Sequence, residues 1–362
     1  MRIANRLFIL VVLISGLGFG AARPSGAQTA APVREQRAPS LVFNPHPEIL
    51  DFMAVWSEDR GKNADLYAKR LFNSGLPKGG PEKSGAQIIR SEGKPEADAH
   101  GPRVDPSILY NSITEEYLVV YSQFVDEDEG WNLFAVRMSP AGFAIGRPRE
   151  IVGGVGDQQR PDVALVNTGG QSEGDMMVVY DDNTRDVDEI WALRLRSNGF
   201  PVGKPYVLVR EPNVNASDPT TNGSAVSWVD DRAGQNDIWV LPLRNGKPNG
   251  TARYLVGDDF ADDFAPRYGS GGVIWNTYDA TTGTDIRGAQ VYDQNNRTRG
   301  PSFGVLVPVA DQAWPDAASN ADGQSVVLFS DNRSGRFNLY GIRLVNFRLI
   351  GHEFPVVLDK TP

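Results

Sequence analysis

The chain has 362 residues, room for one large domain or two ordinary ones, and its 40% hydrophobic and 22% charged residues are a soluble globular balance. A net charge of −9, with no Lys/Arg cluster beyond the extreme N-terminus, excludes nucleic acid as a partner, because affinity for phosphate backbones needs concentrated positive charge. Cysteine is absent, which excludes disulfides, cysteine metal sites and a thiol nucleophile.

The first element is an export signal. "MRIANR" supplies two arginines, "LFILVVLISGLGFG" is an apolar run too short to span a bilayer comfortably, and "PSGAQ" offers a small-residue cleavage site after Ala27, with Ala22 as an alternative. Residues 1–27 are therefore expected to be removed, leaving a secreted or periplasmic chain with no membrane span. Residues 28–39 read as a disordered leader and 40–362 as the folded domain. "PSLVF" at 39–43 resembles the last strand of a structural unit, or an extra strand that latches the last unit to the first.

A repeat follows. "WSEDRGKNADLYAKRL" begins at Trp56, "WVDDRAGQNDIWVLPL" at Trp228 and "FSDNRSGRFNLYGIRL" at Phe329. With weaker copies admitted, the aromatic anchors are Trp56, Tyr121, Tyr180, Trp228, Trp275 and Phe329, about 47 to 65 residues apart, the length of a four-stranded propeller blade with variable loops. Each unit opens around a proline: "HPEIL", "GPRVDPSI", "RPDVALV", "SDPTT", "APRYG", "WPDAAS". Then comes an apolar run such as "MMVVY", as in a strand buried on both faces. A turn rich in Asp, Asn and Gly leads to a third strand, as in "EIWALRL", and a fourth follows, as in "PYVLV". No helical period competes. The expected fold is all-β, a six-bladed β-propeller of four-stranded antiparallel blades, running from "HPEIL" to "EFPVVLD".

The phrase W-x-D-x-R-x-G-x-x-D-I-Y resembles the repeat of bacterial secreted and cell-surface β-propeller proteins related to TolB-like six-bladed propellers. The resemblance covers about 40–362 and implies fold more than function, since propellers host unrelated activities. TolB itself carries an α/β domain before its propeller, for which this chain leaves no room, so a place in the Tol machinery is not implied.

The repeated charges read as scaffold. Asp59, Arg60, Asp65, Asp231, Arg232, Asp237, Asp331 and Arg333 recur at fixed places, with Arg185, Asn132, Glu189, Asp285 and Asn338 as further copies. Asp and Asn close tight turns, and Arg can lie across the neighbouring blade and pair with its acids. One active centre needs different groups in different roles, so ligand contacts are sought where the repeat breaks. On the face shared by the inter-blade loops and the turns between second and third strands, the breaks are His100, Asp157, Arg160, the "DDFADDF" acids Asp258, Asp259, Asp262 and Asp263, then Arg267, Asp311, Trp314 and Asp316. In blade five Arg287 replaces an aromatic, and Tyr278 with Asp279 widens the turn. This acidic face is the expected ligand surface.

No cofactor is required by these residues. "DEDEGWN" places Asp126 and Asp128 ahead of Gly130, a fragment of a calcium loop that lacks the third acid and the closing glutamate of an EF-hand, so calcium would need backbone carbonyls as well. His46, His100 and His352 lack zinc spacing. No G-x-S-x-G elbow is present, and the Asp box of six-bladed sialidases, S-x-D-x-G-x-x-W, is only partly echoed at Ser57. Two readings follow: a monomeric binding module for a glycan, peptide or envelope protein, or a carbohydrate-active glycosidase or lyase using carboxylates at the central channel.

Overall fold

The computed structural model describes residues 35–59, 64–83, 85–88, 101–166, 174–185, 187–256, 261–269, 271–279, 283–291, 298–304 and 310–359, and within them every regular element is a strand. Blade one comprises β1 (Glu35–Asn44), β2 (Asp51–Asp59), β3 (Ala64–Leu71) and β4 (Ala86–Gln87). Blade two holds β5 (Arg103–Asn111), β6 (Glu116–Asp126), β7 (Gly130–Met138) and β8 (Ala144–Val152). Blade three holds β9 (Gln158–Leu165), β10 (Met176–Asp182), β11 (Glu189–Leu195) and β12 (Pro201–Val209). In blade four, β13 (Ala216–Thr221), β14 (Ala225–Asp230) and β15 (Asp237–Arg244) are followed by β16 (Lys247–Pro248) and β17 (Arg253–Val256), both paired with β15. Blade five holds β18 (Asp262–Gly269), β19 (Gly272–Asp279), β20 (Gly283–Val291) and β21 (Thr298–Gly304). Blade six holds β22 (Gln312–Ser319), β23 (Gln324–Asp331), β24 (Asn338–Val345) and β25 (Arg348–Val357).

Strands pair in chain order within every sheet, all antiparallel, except that β16 and β17 share β15 in blade four. The first strands contact one another around a ring, β1 to β5, β9, β13, β18 and β22, and β22 meets β1 again. They therefore line a central channel. Second strands such as β10 and β14 are buried almost throughout, because neighbouring blades cover both faces and reward continuous apolar runs. Outer strands such as β8 and β12 are largely exposed and carry Gly, Pro and charge, which blunts their free edges.

The aromatic anchors lie in the second strands, and each pairs in register with a residue of the third: Trp56 with Tyr67, Tyr121 with Phe134, Tyr180 with Trp191, Trp228 with Trp239, Trp275 with Arg287 and Phe329 with Tyr340. Trp56, Trp228 and Trp275 are wholly or almost wholly buried in the clusters that join adjacent blades.

Blade one departs from the expected start. Its inner strand is β1, which begins at Glu35 and takes in residues read as leader, while "HPEIL" is the turn between β1 and β2. There the His46 N–H donates to Asn44 Oδ1 at 2.9 Å, and the N–H groups of Ile49 and Leu50 reach the His46 carbonyl. Pro47 imitates the strand proline, but the true counterpart is Pro39. "PSLVF" is thus a first strand, neither a fourth strand nor a latch. The ring closes instead by side-by-side bonds between blades six and one: Gln36 N–H to the Phe337 carbonyl (3.0 Å), Leu358 N–H to the Pro81 carbonyl (3.0 Å) and Lys69 Nζ to the Val356 carbonyl (3.2 Å).

Candidate binding channel

Every inner strand carries a bulge at an X-Pro pair, and in every one the residue before proline has positive φ: Ala38 (47°), Asp105 (50°), Arg160 (49°), Asp218 (49°), Ala265 (49°) and Trp314 (53°). This backbone is strained for any residue with a Cβ, and proline restricts the preceding residue further. The strain costs on the order of 1–3 kcal/mol at each site and persists only where the surroundings fix it. The preceding blade does so: the Arg160 N–H donates to Ser122 Oγ (3.2 Å), the Asp218 N–H to Asp181 Oδ2 (3.1 Å) and the Trp314 N–H to Asn276 Oδ1 (2.8 Å).

Two residues further along, a polar girdle runs around the channel. Ser40 Oγ accepts the Ile108 N–H of the next blade (3.2 Å), Ser107 Oγ that of Val163 (3.2 Å), Asp162 Oδ2 that of Thr221 (2.7 Å), Thr220 Oγ1 that of Tyr268 (3.1 Å) and Asp316 Oδ2 that of Leu41 (2.7 Å). Blade five breaks the girdle with Arg267. A guanidinium cannot accept, so the N–H of Ala317 turns to Asp316 Oδ1 at 2.8 Å, and Arg267 donates to the Pro266 carbonyl at 2.8 Å. Arg267 makes no ion pair among the described residues.

The six pre-proline positions share one geometry and carry different chemistry. Blades two to four supply Asp105, Arg160 and Asp218; blades five, six and one supply Ala265, Trp314 and Ala38. In the charged half, Arg160 Nε lies 2.5 Å from Asp181 Oδ2 and 3.1 Å from Asp218 Oδ1. Burial opposes the Arg160 charge, but Asp181 and Asp218 outweigh it and raise its pKa. Burial pushes the Asp181 carboxyl up to about 7, against the pull of Arg160 and with help from Asp218. It also raises Asp105, opposed by Arg160 and Arg267, and lifts Asp316 to about 7 against Arg267 and the Leu41 bond. In the apolar half, the Trp314 ring meets Phe337 edge-on at 5.2 Å, and the Arg37 guanidinium lies 5.6 Å from its centroid.

Of the residues singled out from sequence, Arg160, Arg267 and Trp314 come together on these inner strands. The mouth acids do other work. Asp157 Oδ1 accepts the Trp131 N–H of blade two (3.2 Å) while its N–H donates to Asn183 Oδ1 (2.8 Å). Asp311 repeats that arrangement with Asn332, and Asp262 accepts the Asn236 N–H of blade four at 3.1 Å. Asp263 is buried and accepts the Trp275 indole N–H at 2.9 Å. Asp316 belongs to the girdle, with both oxygens engaged by backbone. Arg287 sits in a third strand, in the aromatic slot opposite Trp275 and away from the channel wall, and Tyr278 is an exposed residue at the end of β19. His100, Asp258, Asp259 and Arg60 lie outside the described residues.

The repeated motif is a set of turn braces. Arg232 pairs with Asp230 at 2.6 Å and stacks 4.1 Å from the Trp239 centroid; Arg333 pairs with Asp331 at 2.6 Å and lies 4.4 Å from Tyr340. These partners are in the same blade, two residues back, rather than in the neighbouring one. The acids that matter most in these turns are therefore Asp230 and Asp331, both buried; Asp230 also accepts the indole N–H of Trp228, and the buried Glu58 accepts that of Trp56. Asp59 and Asp231, one residue on, are exposed. Asp65 accepts from Arg103 of the next blade at 3.1 Å, Asp237 is buried at the start of β15, and Asn338 Oδ1 accepts the Asp359 N–H at 2.8 Å. Asp126 closes its own turn by accepting the N–H groups of Asp128 and Glu129, each at 2.9 Å, and among the described residues no three His, Cys, Asp or Glu side chains gather as a metal site.

Sequence reading missed Asp105, Asp162, Asp181 and Asp218. For Asp105, Asp162 and Asp218 the signal was present in the X-Pro pair of each unit and in the residue two places after X; Asp181, in a second strand, carried none.

No protein-family model matches the chain, and no curated protein matches it. Solved structures do. A Dyadobacter fermentans protein of unknown function superposes with a TM-score of 0.64 at 11% identity, over 85% of this chain and 94% of that one. Trypanosoma rangeli sialidase, in complex with the inhibitor DANA, gives 0.55 at 10% identity, over 87% of this chain and 56% of its own. TolB from Acinetobacter baumannii gives 0.48 at 12% identity, over 87% and 62%. The chain folds as a six-bladed β-propeller. At these identities the likeness is one of fold, and it rests on the six blades themselves.

Proposed function

We propose that this propeller is an exported binding module that takes a glycan or peptide at its central channel. The observation that supports this reading is the divided ring of pre-proline residues. Six positions with one strained geometry carry Asp105, Arg160 and Asp218 on one side and Ala265, Trp314 and Ala38 on the other. A ring needed only for folding would be served by one residue type six times. The divided ring offers hydrogen-bonding groups opposite an aromatic surface flanked by two small residues, which suits a sugar ring or a short peptide. Arg267 adds a cation at the place where the girdle fails.

Binding is favoured over hydrolysis because four of the five channel acids are engaged among the described residues, Asp218 by Arg160, which leaves Asp105 alone. Asp162 serves Ser107, Thr220 and Thr221; Asp316 serves Leu41 and Ala317; Asp181 serves Arg160 and Asp218. A glycosidase needs two carboxyl groups open to the sugar, one of them holding a proton.

The test is a screen of the protein on glycan and peptide arrays, repeated with Trp314→Ala and Arg267→Ala. Hits that both variants lose, while melting as wild type does, support the channel. Hits that survive both substitutions place the ligand elsewhere.

A further inference from the structure

On the opposite face of the propeller, independent of the channel, a cleft of about 240 Å³ opens between the outer strands of blade two and the turn joining β11 to β12 in blade three. Its walls bring together Arg137, Arg147 and Arg149 with Leu118, Asn198 and Phe200. We infer that this cleft is a second binding site, for a small molecule that carries an oxyanion, a phosphate or a carboxylate.

Three guanidinium groups in one cleft are unexpected in a chain whose net charge is −9. Among the described residues only one of them is neutralised: Arg137 donates two bonds to Glu116, both at 2.6 Å. Arg149 is held instead by an aromatic ring, its guanidinium carbon 3.6 Å from the Phe200 centroid, which fixes the fork without consuming its charge. Arg147 is exposed and makes no ion pair among the described residues. It shares a strand with Arg149, two residues apart, the spacing that sets both on one face of a regular strand, and here the strand also bends. That bend is a bulge between the partners of Ala135 and Arg137, where Gly146 takes φ 77° with no atom within 4 Å of a built Cβ. Open space, fixed forks and uncancelled charge are what oxyanion recognition requires. The half-exposed Phe200 gives the ligand's carbon skeleton an apolar contact.

The site is tested by isothermal titration of the whole protein at low salt with inorganic phosphate, glucose 6-phosphate, glucuronate and glucose. Glucose 6-phosphate or glucuronate should bind and glucose should not, with affinity falling as salt is added. Binding of phosphate and glucose 6-phosphate alone identifies a phosphate ligand; preference for glucuronate identifies a carboxylate. Arg147→Glu, at an exposed residue with no ion-pair partner among the described residues, should weaken binding at least tenfold and leave the melting temperature unchanged. The double variant Arg147→Ala/Arg149→Ala should abolish it. Equal binding of glucose and its charged forms, no binding of any probe, or an Arg147→Glu protein that binds as wild type does would overturn the assignment.

Discussion

The turn braces at the rim, seen in blades four and six, and the pre-proline ring at the channel, seen in all six, use repetition in opposite ways. At the rim, the same groups recur in the same role: Asp230 with Arg232 under Trp239, Asp331 with Arg333 under Tyr340. Along the channel the backbone recurs, with φ near 50° at every X-Pro pair, while the side chains diverge. Repetition of side chains marks what holds the molecule together. Repetition of geometry with divergent side chains leaves room for a site, and the proposed one is placed there.

The largest effect should come from breaking the ring itself. Removing residues 213–258 deletes blade four and exposes the facing sides of blades three and five, so the product should aggregate or melt without cooperativity, as followed by circular dichroism and light scattering. A soluble five-bladed protein with a sharp transition would show that closure is not what stabilises the fold. Next in size, Trp228→Ala empties a fully buried site and strips Asp230 of an indole partner at 2.8 Å, for an expected loss of about 3–5 kcal/mol in denaturant titration.

A pair of neighbouring substitutions separates brace from bystander. Asp230→Ala leaves Arg232 and the Trp228 indole short of an acceptor and should cost about 1–3 kcal/mol. Asp231→Ala, one residue on and exposed, should stay within about 0.5 kcal/mol. Equal losses would mean that the turn as a whole, rather than the buried acid, carries the stability.

The last break is a pH dependence. Burial raises Asp316 from 3.8 to about 7, so the folded state holds a proton that the unfolded chain has already released. The folded state therefore binds more protons between about pH 4 and 7, and stability from this group falls as pH rises through that window. Asp316→Asn, which cannot titrate, should flatten the fall in melting temperature between pH 5 and 7. An unchanged slope would assign the dependence to Asp181 or Asp105.

Much of this fold was legible because burial writes itself into the sequence. The anchors at Trp56, Trp228 and Trp275 need a wholly apolar slot, and continuous runs such as "MMVVY" occur where two faces are covered. Blade one was misplaced by a single proline: Pro47 in a turn and Pro39 in a strand look alike until pairing is known. The site was harder to see for a related reason. An acid at the entrance to a blade, such as Asp157 or Asp262, shows its charge in the sequence but not the N–H group of the preceding blade that it accepts. Asp105, Asp181 and Asp218 become neighbours only when three blades are set side by side.

The account turns on whether the divergent ring binds and the repeated braces do not. The most direct measurement takes one glycan or peptide selected on the arrays and compares its affinity and the melting temperature across Trp314→Ala, Arg267→Ala and Asp230→Ala. The first two should lose at least tenfold in affinity with melting temperatures near wild type, and the third should melt earlier yet bind as wild type does when measured well below its transition. Channel variants that bind unchanged, or a brace variant that loses binding while keeping its stability, would contradict it.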